Sequence, residues 1–475
     1  MYPKTTLKFA DDISVVVPDS LNLITPYVLR EQGDWFEDEI KFVRSLLKPN
    51  QKAIDIGANY GLFTLSMAKI VGPGGSIWAF EPTSLTAAFL SESLAINGFS
   101  QVVLDQRALS AHAGIAQLSL NDNSELNELV RDGASAGASE TVTLISLDDA
   151  MQEHGWSDIE FVKIDAEGEE AAIVRGGRNF FQTQLPLIQY EIKAGYALHL
   201  ELVQDFADIG YASYRLVPGL GALVPFGLRE AVDGYLLNLF CCKPDRAAKL
   251  AAEGRLVLAD DVQAAINNQR VHGLLHGREA GSAYGWQNKL AQLPYGKILA
   301  ATWQQTVRQG QSAQVEKALA LHAIAHDKEL QIAERFFALR TSLEILTAVC
   351  NVQADFLRFA SLARVAREFG ARVVAVKALK NLLQLAAKYQ QVNASEPFLA
   401  SSERFDTLDP KEAIGNWVVC STLEEMERNV SFSSFHTGQA ARQRLEIIHN
   451  LGFGSPEMAR RLALVEQRFF GTTNH

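Results

Sequence analysis

Short apolar strands alternate with helices from residue 52 to residue 190, and this alternation constrains the fold more than any other feature. The predicted strands cover residues 53–56, 77–80, 102–104, 161–164 and 187–190, and helices at 62–71 and 85–96 separate the first three. Such alternation predicts a parallel sheet with helices on both faces. Two later strands, 211–217 and 235–241, are joined by a loop rich in Gly and Pro and predict a terminal antiparallel hairpin. The expected fold class is therefore α/β, with a Rossmann-like, mostly parallel sheet.

The chain changes character after Pro244, where Ala, Leu, Arg and Glu dominate and strand signals become rare. This composition predicts an all-α C-terminal domain, either an irregular bundle or a tetratricopeptide-like solenoid. The predicted helices cover residues 313–325, 330–349, 356–369, 372–389 and 422–429. We therefore expect N-terminal strands and a lid or cap helix in residues 1–50, the α/β domain in 51–245 and a helical domain in 246–475.

The N-terminal segment is predicted to form short strands and loops up to residue 33, followed by a helix. Asp34 and Glu37 have the spacing of a capping box at the start of that helix, which ends at Leu47. Glu37 and Glu39 could face a cofactor, but a solvated helix face with a capping role is the favoured interpretation.

Charge and cysteine content exclude several classes of protein. Residues 1–250 hold 19 Lys and Arg against 33 Asp and Glu, a net charge of −14, which argues against nucleic acid as a partner. The four cysteines form no C-x-x-C pair, so we expect buried free thiols in a reducing compartment. The sequence contains no secretory pattern and no apolar stretch of roughly 20 residues. These features predict a cytoplasmic protein without a transmembrane segment.

A glycine-rich turn joins the first strand of the alternating region to its helix. It contains Asp55, Gly57, Asn59 and Gly61, a spacing that differs from the G-x-G-x-x-G of dinucleotide-binding folds. Glycines here allow the backbone to approach a ligand closely. The leading carboxylate disfavours a phosphate and suits a ligand with an ammonium group, although an ordinary tight turn would also explain the pattern.

Two further strand ends carry carboxylates. Glu81 follows the second strand, where a carboxylate can accept hydrogen bonds from both hydroxyls of a ribose, unless it is simply solvated. Asp165 and Glu167 follow the fourth strand, in the segment KIDAEGEE. Clustered carboxylates raise one another's pKa, which is common at functional sites. The preference of a helix N-terminus for acids explains Glu169 and Glu170 better than it explains Asp165.

The motifs DIGANYGLFT, FEP, LAINGF, SLDD, KIDAEGEE and YEIK follow one another between about residues 50 and 195. Together they closely resemble the FkbM-type methyltransferases. The resemblance implies a class I methyltransferase fold, S-adenosyl-L-methionine (SAM) as methyl donor, and O-methylation of a sugar or polyketide hydroxyl. It also implies that four residues of the turn hold the methionine end of SAM, that Glu81 binds its ribose, and that Arg107 lies near its adenine. The four are Asp55, Gly57, Asn59 and Gly61.

A sugar hydroxyl is a poor nucleophile, so a base would help the transfer. The candidates are Asp165, then Glu167, then His199. A metal is not expected, although Asp165 and Glu191 could converge on Mg²⁺ as a thin ligand set in an alternative mechanism.

Two alternative functions remain open on the sequence alone. A nicotinamide oxidoreductase is disfavoured because G-x-G-x-x-G is missing. In an interaction or scaffold protein, the helical half would be the working part. The expected partners are a small-molecule or glycan acceptor and, through the helical domain, a second copy or another protein.

Overall fold

The computed structural model describes residues 3–10, 12–121, 127, 129, 138–194, 197–228, 232–261, 284–310, 312–352 and 356–471. The chain divides into two compact units. The first comprises Met1–Leu216, Pro225–Val232 and Leu236–Ala252, and the second comprises Val217–Val224, Asp233–Tyr235 and Glu253–His475.

Fifteen strands occur among the described residues. They are β1 (Lys4–Phe9), β2 (Ile13–Pro18), β3 (Lys52–Ile56), β4 (Ser76–Phe80), β5 (Val102–Asp105), β6 (Ala108–Ser110), β7 (Gly114–Ser119), β8 (Ser139–Ser146), β9 (Ile159–Ile164), β10 (Leu187–Glu191), β11 (Lys193–Ala194), β12 (Ala197–Leu198), β13 (Ala212–Val217), β14 (Ala222–Pro225) and β15 (Asn238–Cys242).

The central sheet has eight strands in the order β14-β13-β15-β10-β9-β3-β4-β5. The five strands from β10 to β5 are parallel, while β15 is antiparallel to both β10 and β13. The chain builds β3, β4 and β5 outward in one direction and then returns to place β9 beside β3. This reversal creates a crevice at the carboxyl ends of β3 and β9, which is where open α/β sheets bind ligands. The predicted fold class is confirmed.

Nine helices accompany these strands: α1 (Ile24–Gln32), α2 (Asp38–Leu46), α3 (Leu62–Val71), α4 (Ser84–Asn97), α5 (Leu147–His154), α6 (Glu170–Gly176), α7 (Arg178–Thr183), α8 (Glu201–Asp208) and α9 (Pro244–Ala252). Helix α3 is buried along most of its length because its sequence, LFTLSMAKIV, is apolar on nearly every side. The bounds predicted for this helix agree with the structure.

The N-terminal prediction is wrong in two respects. Residues 24–32 form helix α1 rather than a loop, and the next helix begins at Asp38 instead of directly after Asp34. No capping box forms, since Glu37 occupies the N-cap position without a side-chain capping bond. Asp34 instead accepts two hydrogen bonds from the Arg44 guanidinium, at 2.7 and 2.8 Å, and this bidentate pair is the stronger interaction.

A small sheet, in the order β6-β8-β7, was not predicted. Strand β8 pairs in parallel with β6 and antiparallel with β7. Its sequence, SETVTLIS, alternates weakly between polar and apolar residues, so periodicity alone gives little signal for it.

The second unit is helical over most of its described residues. Its longer helices are α10 (Pro294–Arg308), α11 (Ala313–Ala325), α12 (Ile332–Val352), α13 (Phe356–Phe369), α14 (Arg372–Tyr389), α15 (Ile414–Val430), α17 (Arg442–Leu451) and α18 (Pro456–Phe470), with a single turn, α16 (Ser434–Thr437), between α15 and α17. Tyr295, Trp303 and Trp417 are fully buried and anchor its core. Trp286 and Trp303 also belong to this core, and Tyr284 packs against it.

All four cysteines are free and buried, as predicted. Among the residues that the structure describes, no helix is both long enough and apolar enough to cross a bilayer.

Candidate functional site

An open cavity of about 1030 Å³ lies where β3, β4 and β9 end. Gly57 follows β3, Glu81 follows β4, and Asp165 follows β9, and all three line the cavity. Three of the sequence-predicted sites, far apart in the chain, therefore meet at one edge of the sheet.

The turn after β3 is held against its two neighbouring strands. The Gly57 and Ala58 N–H groups both donate to the Phe80 carbonyl oxygen, at 3.0 and 2.9 Å. Gly57 has φ +74°, and a Cβ at this position would lie 1.7 Å from the Asp165 carbonyl oxygen. Only glycine allows the ends of β3 and β9 to approach so closely. Gly61, with φ +88°, starts helix α3 but does not line the cavity.

Asp55 lies beneath the turn, fully buried, and is not among the lining residues. Its Oδ2 accepts a hydrogen bond of 2.6 Å from Thr64 Oγ1. Its Oδ1 makes no hydrogen bond and lies 3.7 Å from Lys163 Nζ. Burial raises the pKa of Asp55, while Lys163 and Thr64 oppose the rise. The carboxylate is therefore placed to act on a ligand indirectly, through the turn and Lys163.

Glu81 is buried but borders the cavity. Its Oε2 accepts from the Asn59 N–H and its Oε1 accepts from the Thr83 N–H, both at 2.9 Å. Burial raises its pKa, and the two backbone donors lower it. A carboxylate has about four acceptor positions, and Thr83 also makes a side-chain hydrogen bond to Glu81, so one position remains for a hydroxyl group of a ligand.

Arg107 also lines the cavity, just beyond β5. Its guanidinium donates to both oxygens of Asp105 and to Glu153 Oε2, the last at 2.7 Å. Hydrogen bonds to these carboxylates hold the pKa of Arg107 above its usual range. The charges of Asp105 and Glu153 already compensate the charge of Arg107. We therefore expect Arg107 to contact a ligand by packing against it and not by forming an ion pair.

The far end of the site is strongly acidic. Carboxylate oxygens of Asp165, Glu167 and Glu191 all lie within 4.8 Å of one another. Asp165 and Glu167 line the cavity, whereas Glu191 is not among the lining residues. Glu167 has φ +46° and is followed by Gly168 at φ +96°, a sharp turn of the kind found at ligand sites. These oxygens could together hold a divalent cation. The alternative mechanism in which Asp165 and Glu191 bind Mg²⁺ therefore stays open.

A buried lysine balances this acidity. Lys163 Nζ donates to Asp165 Oδ2 at 2.9 Å and to the Gly57 carbonyl oxygen at 3.4 Å. Burial would lower the pKa of Lys163, but Asp165 and Asp55 outweigh it and hold the pKa above its usual range. The sequence motifs assign no role to Lys163. The available signal is a lysine among the apolar residues Phe161, Val162 and Ile164 at the end of its strand.

Two glutamates of this end hold a proton more strongly than usual. Burial and the charges of Asp165 and Glu167 raise the pKa of Glu191 to about 11. Burial also raises the pKa of Glu37 to about 7, against hydrogen bonds that lower it. Glu191 is consequently neutral near pH 7 and able to donate a hydrogen bond.

Glu37 corrects a further expectation, because it does not lie on a solvated helix face. It lines the cavity and accepts hydrogen bonds from Trp35 Nε1 at 3.0 Å and from Asn238 Nδ2 at 2.9 Å. The partner Asn238 lies 201 positions away in the sequence, so no local pattern could reveal the contact.

His199 does not join the other candidates. Its side chain is 38% exposed, and Nδ1 lies 2.8 Å from Glu201 Oε1. It is absent from the cavity lining, so the structure gives it no contact with a ligand there.

A family model described as "Methyltransferase FkbM domain" matches residues 55–212. This match confirms the resemblance that the sequence motifs indicate. No curated protein matches the chain.

Three solved structures illustrate the range of similarity. A methyltransferase FkbM from Methylobacillus flagellatus is 16% identical, with TM-score 0.30 over 44% of this chain and 48% of that one. A SAM-dependent O-methyltransferase from Thermotoga maritima is 14% identical, with TM-score 0.26 over 51% of this chain and 78% of that one. A SAM-dependent methyltransferase from Aquifex aeolicus is 13% identical, with TM-score 0.25 over 46% and 93%.

Proposed function

We propose that this chain, whose residues 55–212 match the methyltransferase FkbM domain model, moves a methyl group from SAM to a hydroxyl oxygen of a sugar, glycan or related natural product. The observation that carries the proposal is the meeting of Gly57, Glu81 and Asp165 around one cavity. A glycine turn, a strand-end carboxylate and a candidate base are the three parts that such a transfer needs.

The acceptor and donor groups that line the cavity support SAM as its ligand. Glu81 keeps an acceptor position for a ribose hydroxyl after its hydrogen bonds to Asn59 and Thr83 are counted. The turn containing Gly57 and Asn59 would hold the methionine end, with Asp55 and Gly61 shaping that turn from below. Arg107 and Ala108 would border the adenine.

When bound, SAM supplies an electrophilic methyl group on a positively charged sulfur. In the proposed transfer, the acceptor oxygen would form a bond to the methyl carbon while the carbon–sulfur bond breaks and its electron pair stays on sulfur. Holding the oxygen, carbon and sulfur atoms in line accounts for much of the rate acceleration in such a transfer. The acidic end of the cavity would orient the acceptor and receive the proton of its hydroxyl.

Asp165 is the proposed base. Its Oδ2 accepts a hydrogen bond of 2.9 Å from Lys163 Nζ, which fixes the position of the carboxylate. Glu191 is neutral near pH 7, so it can donate a hydrogen bond to Asp165 instead of repelling it. Glu167, at the cavity lining, is the second candidate, and His199 has no assigned part because it lies away from the cavity.

The test is a transfer assay with the full chain and SAM carrying a deuterated methyl group. Neutral sugars, polyketide alcohols and the matching amines serve as acceptors, and mass spectrometry locates the label. Label on a hydroxyl oxygen supports the proposal. Transfer to the amines alone would replace O-methylation by N-methylation as the activity.

A further inference from the structure

The second unit contains a cluster of imidazole and carboxylate groups that the proposed methyl transfer does not use. His322 lies in α11, His326 directly follows that helix, and Glu368 lies in α13. One ring nitrogen from each histidine and one oxygen of Glu368 all lie within 4.8 Å of one another.

The hydrogen bonds of His326 determine which of its nitrogens carries hydrogen. Nδ1 lies 2.9 Å from the His322 main-chain oxygen, which can only accept, so Nδ1 is the protonated nitrogen. The other ring nitrogen, Nε2, faces Glu368 Oε2 at 3.4 Å. An imidazole nitrogen and a carboxylate oxygen are both atom types that bind zinc.

Glu368 is oriented from its other side. Arg364 Nε donates to Oε1, which leaves Oε2 facing both imidazoles, with His322 Nε2 at 2.8 Å. These contacts fix the position of the Glu368 carboxylate before any ligand arrives.

We propose that His322, His326 and Glu368 bind a divalent transition-metal ion, with zinc as the ion that suits them best. Two imidazoles and one carboxylate are a common zinc ligand set. Bonds of about 2.0–2.1 Å in a tetrahedral site separate ligand atoms by roughly 3.4 Å. The separation of His326 Nε2 and Glu368 Oε2 already has this value, and His322 Nε2 would need to withdraw by about half an ångström.

The surroundings have two further properties of metal sites. A histidine ligand usually donates its second ring N–H to a carbonyl, as His326 does, and a carboxylate ligand is usually held by another donor, as Glu368 is by Arg364. The His326 side chain is 38% exposed, which gives an ion access from solvent. A bound ion would link α11 to α13 and stabilise the second unit.

The experiment titrates the full chain, dialysed against a chelator, first with Co²⁺ and then with Zn²⁺. We expect one Co²⁺ per chain with the intense visible bands of a four-coordinate site, displaced by Zn²⁺. His326→Ala should weaken binding by at least roughly 100-fold, while the matched control His449→Ala, an exposed histidine at the end of α17, should not.

Glu191→Gln separates this site from the acidic cluster of the cavity, and it should leave the Co²⁺ spectrum unchanged. X-ray absorption of the unaltered Zn²⁺ complex needs no variant and should show two imidazole ligands. The proposal is overturned if binding is weaker than micromolar, if the spectrum is that of an all-oxygen site, or if His326→Ala binds like the unaltered chain.

Discussion

The carboxylates around the cavity have different roles because their immediate partners differ. Glu81 is fixed by two backbone N–H groups, Asp165 by a buried ammonium, and Glu191 holds a proton. Strand-end position alone predicts Glu81 and Asp165, since such ends meet at one edge of a sheet. It does not predict Lys163 or Glu37, whose roles depend on contacts between distant parts of the chain.

Glu81→Gln should weaken SAM binding about 10- to 100-fold, because hydrogen bonds to a charged acceptor contribute roughly 1.5–3 kcal/mol each. Calorimetric titration with SAM measures the dissociation constant. Glu92→Gln, on an exposed glutamate paired with Lys4, is the control and should bind normally. If both variants bound SAM with the same dissociation constant, Glu81 would not be a ligand of the ribose. Some loss of thermal stability is expected, since Asn59 and Thr83 lose a charged acceptor.

Asp165→Asn should leave SAM affinity within about threefold and lower turnover roughly 10²- to 10⁴-fold, the usual contribution of a general base. Single-turnover measurements with an accepted substrate separate the two quantities. Asp208→Asn, at the end of α8 and away from the cavity, should retain full turnover. Unchanged turnover in Asp165→Asn would move the role of base to Glu167.

Stability should fall as pH rises, because the folded chain keeps a proton on Glu191 that the unfolded chain loses. The ordinary pKa is 4.5 and the folded value is about 11. The contribution is complete below the unfolded pKa and declines through the folded one, by at most roughly 1.4 kcal/mol per pH unit. Urea unfolding at pH 5.5 and 8.5 should show this decline in the unaltered chain and a smaller one in Glu191→Gln. Identical slopes would contradict the protonated state.

At the scale of elements, the turn between β3 and α3 follows directly from its sequence, whereas the segments around it do not. The run of apolar residues and the glycines fix that strand, turn and helix. Helix α1 contains Pro26 and short apolar runs, which local rules assign to loops and strands. The sheet β6-β8-β7 depends on pairing between residues as far apart in the chain as Ala108 and Leu144, and sequence periodicity gives no information on such pairing.

Gly57→Ala should destabilise the domain and abolish SAM binding, because the new Cβ would lie 1.7 Å from the Asp165 carbonyl oxygen. The matched control is Gly98→Ala. Gly98 has a similar φ of +67°, but a Cβ there meets nothing within 4 Å. The control therefore carries only the left-handed backbone cost of about 1–2 kcal/mol. Thermal unfolding and SAM titration of both variants should differ clearly, and equal effects would mean that close packing of β3 on β9 is unimportant.

At the scale of the whole molecule, the chain alternates between its two units from residue 217 to residue 253 before continuing in the second. The change of composition near residue 245 reflects the change from strands to helices. The boundary between the two units lies elsewhere because it depends on contacts between residues that are distant in the sequence. The acidic first half and the helical second half were visible in the sequence for the same reason. The pairing of His322 and His326 with Glu368 was not, because 42 residues or more separate them.

The measurement that tests the central claim most directly is calorimetric binding of SAM to the unaltered full chain. If the ends of β3, β4 and β9 form one methyl-donor site, SAM should bind with a stoichiometry of one and a micromolar or tighter dissociation constant. NAD should not compete, because the turn lacks the spacing of a dinucleotide site. Absence of SAM binding at these concentrations, or displacement of SAM by NAD, would contradict the account.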